Sequence, residues 1–223
     1  MPTDTFFRLD EEKKEKIILA AKKEFSEVSI QEASVANIIK YADIPRGSFY
    51  QYFSDKDDIF FYVFSLIKAE PESKFIEILT INEGDLFKSF KLFFSYYLLE
   101  VFEGENRDLF KNIFQHINYT RSHQMMMSGS SDKQKKAHES HFRKHHQGTN
   151  NIYIKLKECV DQSELQVSND REFMMLIHQL WSMLFHTMNE GFRMKAFGKE
   201  VDLKLLQSDF ELKLNWLENG VKK

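Results

Sequence analysis

Arg46, Ser48, Tyr50, Gln51 and Tyr52 are packed into one short stretch of the chain, with Gly47 between the first two. A guanidinium, a hydroxyl, two phenols and an amide at that density suit hydrogen bonding to phosphate oxygens and base edges. Gly47 has no side chain and would let the backbone come close to a phosphate. Lys56 lies a few residues on, where the first amides of the next helix already favour an anion. Ser34 adds an earlier hydroxyl, read mainly as a helix cap, since one hydroxyl serves only one role well. The same side chains would also make an ordinary solvated face, and Tyr50 and Tyr52 could be half-buried core aromatics.

Other reactive groups are sparse. His138, His141 and His145 share one helical face by spacing, with His146 adjacent, and could bind a metal. No cysteine or carboxylate completes that set, and the surrounding Lys, Arg, Glu and Gln give it the look of a solvated face. The single cysteine, Cys159, excludes an intramolecular disulfide and fits a reducing cytoplasm, and nothing near it suggests a reactive thiolate. There is no nucleophile elbow, phosphate loop, His-Glu-x-x-His pair or tandem Cys-x-x-Cys, so neither an enzyme nor a bound cofactor is expected. No N-terminal apolar leader or bilayer-length apolar run is seen, which fits a cytoplasmic protein without membrane contact.

The elements that must position these residues are helices. The 223 residues include 22 Phe but only 3 Pro and 8 Gly, a balance that favours long helices around a large core. Ile17, Ala20, Ala21 and Phe25 recur at helical spacing over 10–26. A short helix over 34–41, a turn at Ala42-Asp43-Ile44, and a second short helix from Pro45 to about Phe53 complete a helix-turn-helix. Its second helix would enter a major groove, with Phe49 and Phe53 pinning its back to the core. Ser54-Asp55-Lys56-Asp57 resembles a capping box that opens a further helix ending near Ala69, and Pro71 marks a boundary. Helical periodicity continues over about 72–81, 84–103, 106–126, 132–160, 170–196 and 201–219, with no strand pattern competing. The formal net charge of −3 does not announce a nucleic-acid binder, but a local basic face on a mildly acidic body suffices.

Residues 17–60 resemble the N-terminal domain of TetR-family regulators. Ile18-Leu19-Ala20-Ala21, Phe25, Ser34-Val35, Ile38, the run from Ile44 to Phe53, and Lys56 carry the likeness. Val28, Asp43 and Pro45 depart from the pattern, and Asp tolerates the left-handed geometry a turn glycine would supply. The resemblance implies an all-α fold with a DNA-binding domain over 1–54 and an effector-binding and dimerisation domain over 55–223. It makes the helix holding Arg46 to Tyr52 the recognition helix, with Tyr50 on a phosphate. It further implies a homodimer on a pseudo-palindromic operator and a small hydrophobic effector. Phe93, Tyr97, Phe114, Met125, Trp181 and Phe185 are candidate effector-binding residues, although a packed core would use the same types. Leu176, Leu180, Leu184, Leu205, Leu212 and Trp216 offer an apolar stripe for the dimer. An interaction module without DNA binding, or a helical enzyme for small hydrophobic molecules, is the alternative on the same scaffold.

Overall fold

The computed structural model describes residues 2–116 and 149–221. Met125 and the His138, His141 and His145 face lie outside them. Among the described residues there are ten helices and no strand. They are α1 (Asp4–Phe7), α2 (Glu11–Glu27), α3 (Val35–Ala42), α4 (Arg46–Tyr52), α5 (Lys56–Ile81), α6 (Leu86–Glu103), α7 (Arg107–His116), α8 (Thr149–Cys159), α9 (Asp170–Ala196) and α10 (Leu203–Val221). The chain is all-α, as its periodicity predicts. Residues within 1–70 and 106–152 form one compact unit, and residues within 71–105 and 153–223 form the other.

In the first unit, Asp10 caps α2 by accepting from the Lys13 N–H at 2.8 Å. Ile17, Ala20, Ala21 and Phe25 are buried along one stripe of α2, as the spacing requires. Ser34 caps α3, its hydroxyl accepting from the Ala36 N–H at 3.2 Å. The turn after α3 puts Asp43 in the left-handed region, at φ 51° and ψ 52°. Asp pays less for that conformation than a bulkier residue would. Pro45 then stands at the N-cap of α4 with extended backbone, one residue before the helix proper. Phe49 and Phe53 are fully buried with ring centroids 5.7 Å apart, the pin that their spacing predicts. The helix α1 carries no sequence signal of its own and is an addition to the expected set.

Two expectations change around α5. The capping box sits one residue later than Ser54. Asp55 accepts from the Asp58 N–H at 2.9 Å, and Asp58 reaches back to the Ser54 N–H at 2.9 Å. Asp55 is therefore the cap, and Asp58, three residues on, accepts from the residue before it. Pro71 does not end the helix. α5 runs through it to Ile81, with Pro71 on the buried face in line with Phe75 and Leu79. That apolar stripe holds the helix across the one hydrogen bond a proline cannot donate. Pro71 nonetheless marks where the two compact units divide.

In the second unit α6 is capped by Asp85, which accepts from Lys88 N–H at 3.0 Å. The preceding turn bends through Glu83 at φ 54° and Gly84 at φ 85°. A Cβ on Gly84 would lie 2.5 Å from the Asp161 nitrogen and 2.7 Å from the Cys159 carbonyl, so only glycine fits there. Helix α9 begins at a capping box in which Asn169 accepts from Glu172 N–H at 3.1 Å and Glu172 accepts from Ser168 N–H at 2.6 Å. Phe94 of α6 stacks on Phe210 of α10 at 3.9 Å, and Phe102 stacks on Phe192 of α9 at 4.4 Å. Lys91 and Glu211 bridge α6 to α10 at 2.7 Å.

The cap register gives a direct test. Asp55→Ala is expected to lower stability to urea by about 1 kcal/mol, and Ser54→Ala to leave it nearly unchanged. The reverse order would put the cap at Ser54.

Candidate nucleic-acid interface

Helix α4 is seven residues long and sorts its side chains cleanly. Phe49 and Tyr52 point inward with Phe53 just beyond, while Arg46, Gly47, Tyr50 and Gln51 face solvent and Ser48 is half-buried. At about 100° per residue, positions 46, 47, 50 and 51 form one outward stripe. The Arg46 guanidinium lies over the Tyr50 ring at 5.9 Å from its centroid, so the two exposed side chains support each other. A Cβ on Gly47 would meet nothing within 4 Å. The protein's own packing does not need a glycine there.

Neighbouring elements fix this stripe. Glu24 of α2 is buried to 1% exposure, and its carboxylate accepts from the Ser34 N–H at 2.7 Å and from Asn37 Nδ2 at 3.1 Å. One acid therefore anchors the start of α3, which orients the turn and α4. Asn112 of α7 donates from Nδ2 toward the carbonyls of Phe25 and Ser26 at 2.9 Å and of Val28 at 3.2 Å. These are carbonyls at the open end of α2, which otherwise lack partners. Asp43 is exposed and faces Lys16 Nζ at 3.4 Å.

Three residues expected at the interface need correction or refinement. Tyr52 is only 4% exposed, with its ring 6.2 Å from Phe6, so it belongs to the core and not to the outward stripe. The cause is the helical period, which places position 52 beside Phe49 and Phe53. Lys56 does not project a free ammonium, because Nζ donates to the Gln31 carbonyl at 2.6 Å and the Ala33 carbonyl at 3.1 Å. It ties the loop before α3 to the start of α5. Ser34 spends its oxygen as the α3 cap. Arg46, Gly47, Ser48, Tyr50 and Gln51 stay together.

Of the candidate effector residues, four meet in the second unit. Phe93 stacks on Tyr97 at 5.3 Å and lies 5.7 Å from Trp181, which is 6.3 Å from Phe185. Phe75 and Phe90 join them at 5.5 and 5.3 Å from the indole. Trp181 and Phe185 keep part of their surface exposed. Phe114 is buried in the first unit and is not part of this cluster. Burial, with Glu72 and Glu100 nearby, pushes the Tyr97 phenol well above its ordinary value. The expected dimer stripe splits: Leu176, Leu180 and Leu184 lie in the protomer's own core, and Leu205, Leu212 and Trp216 are exposed.

Two family models match the chain. Residues 17–63 match that of bacterial regulatory proteins of the tetR family. Residues 85–221, more than half the chain, match that of the tetracyclin repressor-like C-terminal domain. The chain belongs to the TetR family. It is thus a transcriptional regulator built from a helix-turn-helix and a larger helical domain. A curated relative, the HTH-type transcriptional regulator HbdR of Aromatoleum sp. (strain CIB), is 44% identical over 54 residues. That match spans about a quarter, 24%, of each chain. Among solved structures, NalD of Pseudomonas aeruginosa, the secondary repressor of the MexAB-OprM multidrug efflux pump, is similar at TM-score 0.59 and 16% identity, over 96% of this chain and 98% of that one. A cysteine mutant of the TetR-family regulator CifR, complexed with 26 bp of double-strand operator DNA, is similar at TM-score 0.53 and 11% identity, over 93% and 97%.

The sequence carried a faint signal for Glu24, which falls on the apolar stripe of α2, and none for Asn112. Glu24→Ala is expected to cost about 2 kcal/mol in urea unfolding, since it leaves the Ser34 N–H and Asn37 amide without their charged acceptor. A loss under about 0.5 kcal/mol would show that the carboxylate does not anchor α3. The Tyr97 shift has a pH signature. A phenol raised in the folded state stays neutral while the unfolded one ionises near pH 10. Its stabilising contribution is whole below pH 10 and falls as pH rises through the folded value. Urea midpoints from pH 8 to 11 are expected to drop less steeply above pH 10 in Tyr97→Phe than in the parent.

Proposed function

We propose that the chain is a homodimeric repressor that holds its operator through Arg46, Gly47, Ser48, Tyr50 and Gln51 and is released by a small hydrophobic effector. The observation that carries the DNA-contact part is Gly47. It is a glycine on an exposed helix face with open space around it, flanked by Arg46 and Tyr50. A slim position unused by the fold makes sense where another backbone must come close. Arg46 and Gln51 have the donor geometry for base edges, and Tyr50 and Ser48 suit phosphate oxygens. In this reading residues 1–54 read DNA, and residues 55–223 bind effector and partner.

Two recognition helices must reach successive major grooves about 34–36 Å apart, which requires a symmetric pair. Leu205, Leu212 and Trp216 of α10 supply exposed apolar surface at helical spacing for it. The Phe93, Tyr97, Trp181 and Phe185 group offers aromatic walls for an apolar effector. NalD is by its description the secondary repressor of a multidrug efflux pump, and a repressor role here rests on that likeness of fold. No helix among the described residues is long and apolar enough to cross a membrane, which accords with a cytoplasmic regulator. We assign it no catalytic role.

The test is a mobility-shift titration against duplexes from the promoter region of its own and neighbouring genes, at two salt concentrations. Binding is expected to weaken steeply as salt rises. Arg46→Ala and Gly47→Leu are each expected to weaken specific binding at least about tenfold while unfolding like the parent. Tyr52→Phe should bind as the parent does. Gly47→Leu binding at parental strength would remove the main support for this interface.

A further inference from the structure

The start of the chain grips the far end of α4. A helix of seven residues has few internal hydrogen bonds, and isolated helices this short do not persist in water. Its N-terminal end gains no side-chain cap, because Pro45 occupies that position. At its other end, the Phe49 carbonyl accepts from the Phe53 N–H at 2.9 Å. The carbonyls of Gln51 and Tyr52, among the last of the helix, have no following turn to bond. Thr3 supplies both partners. Its hydroxyl donates to the Gln51 carbonyl at 2.6 Å, and its backbone N–H donates to the Tyr52 carbonyl at 2.9 Å.

Three residues on, Phe6 is fully buried. Its ring lies 5.0 Å from Phe53, 6.2 Å from Tyr52 and 5.3 Å from Tyr62 of α5. The segment therefore fastens the end of α4 by hydrogen bonds and ties it to α5 by an aromatic wedge. The residues it fastens are next to the outward stripe: Gln51 gives its carbonyl to Thr3 while its side chain faces solvent, and Tyr50 immediately precedes it.

We propose that Thr3 and Phe6 are positioning residues for DNA recognition. They set the pitch and rigidity of the last turn of α4 without touching the duplex. This rests on the reading that the stripe from Arg46 to Gln51 meets DNA. Thr3→Val keeps the shape and loses the hydroxyl, Thr3→Ser keeps the hydroxyl, and Phe6→Ala removes the wedge.

The experiment has two arms on the full chain. In the free protein, amide hydrogen exchange is followed in the peptide covering 46–53. Thr3→Val is expected to speed exchange about five- to tenfold, the scale of one neutral hydrogen bond, and Thr3→Ser to match the parent. In the second arm, binding is measured to a labelled duplex that the parent enriches from a random-sequence library. Thr3→Val is expected to bind about five- to tenfold more weakly with an unchanged salt slope and a melting temperature within about 2 °C of the parent. Phe6→Ala is expected to lose more affinity than Thr3→Val and several degrees of melting temperature.

Unchanged exchange in Thr3→Val, or equal losses in Thr3→Val and Thr3→Ser, overturns the hook. A salt slope smaller by about one phosphate contact in Thr3→Val overturns it in favour of Thr3 meeting DNA itself. If the parent enriches no duplex at all, the DNA reading fails and the hook's role in recognition with it. If Arg46→Ala weakens binding and neither Thr3→Val nor Phe6→Ala does, the DNA reading stands and the hook alone is wrong.

Discussion

A two-turn helix cannot hold itself, and the arrangement around α4 follows from that constraint. The helix owes its existence to burial of Phe49 and of Phe53 just after it, each fully removed from solvent. Fixing that face inward fixes the opposite face outward, so Arg46, Tyr50 and Gln51 are exposed by the same geometry that buries the phenylalanines. The surrounding polar contacts then set angle and not existence. Glu24 locates α3, Asp43 turns the chain, and Thr3 closes the last turn. Glu24 and Thr3 each supply a partner to a backbone group that such short helices leave unsatisfied.

The contacts of greatest reach were the hardest to foresee. Periodicity marked α2, α3, α4, α6, α9 and α10 because each buries one stripe, and stripes are visible in sequence. Asp43 was legible as a left-handed turn residue and Phe49 with Phe53 as the pin. Tyr52 was misjudged because a phenol is at home inside or outside, although the helical period sets it on the face of Phe49, where the ring of Phe6 covers it. The box at Asp55 was displaced by one residue because adjacent Ser and Asp are both good caps. Pro71 read as a stop because sequence shows the lost hydrogen bond but not the buried stripe that outweighs it.

The roles of Lys56, which the sequence had marked for an anion, and of Asn112 escaped for a different reason: their partners are backbone carbonyls, which every residue possesses and no sequence displays. In the second unit the aromatic residues were recognisable as a group, yet which of them meet depends on distant segments. Phe93 and Trp181 come together from α6 and α9, while Phe114, of the same chemistry, is packed in the other unit. The apolar stripe assigned to a partner was likewise half consumed by the protomer, since leucines four apart on α9 fill its own interior.

The acidic balance of the chain is compatible with a DNA-facing surface because the local arrangement differs from the average. Asp43, the carboxylate nearest in sequence to the outward stripe, sits opposite Lys16 at 3.4 Å, which offsets its charge. Both partners are largely exposed, so the pair adds little stability, and its importance is to the field outside the protein. Lys56 and Asn112 sharpen a related point. Both lie beyond residue 54, and both grip carbonyls between residues 25 and 33. The stripe is therefore oriented partly by residues outside the helix-turn-helix segment, within a compact unit that also takes in residues 55–70 and α7. Hydrogen bonds to main chain thus connect α7 and the first turn of α5 to the end of α2 and the loop before α3. Main-chain carbonyls cannot rotate away as a side chain can, so these two grips fix the backbone that leads into α3.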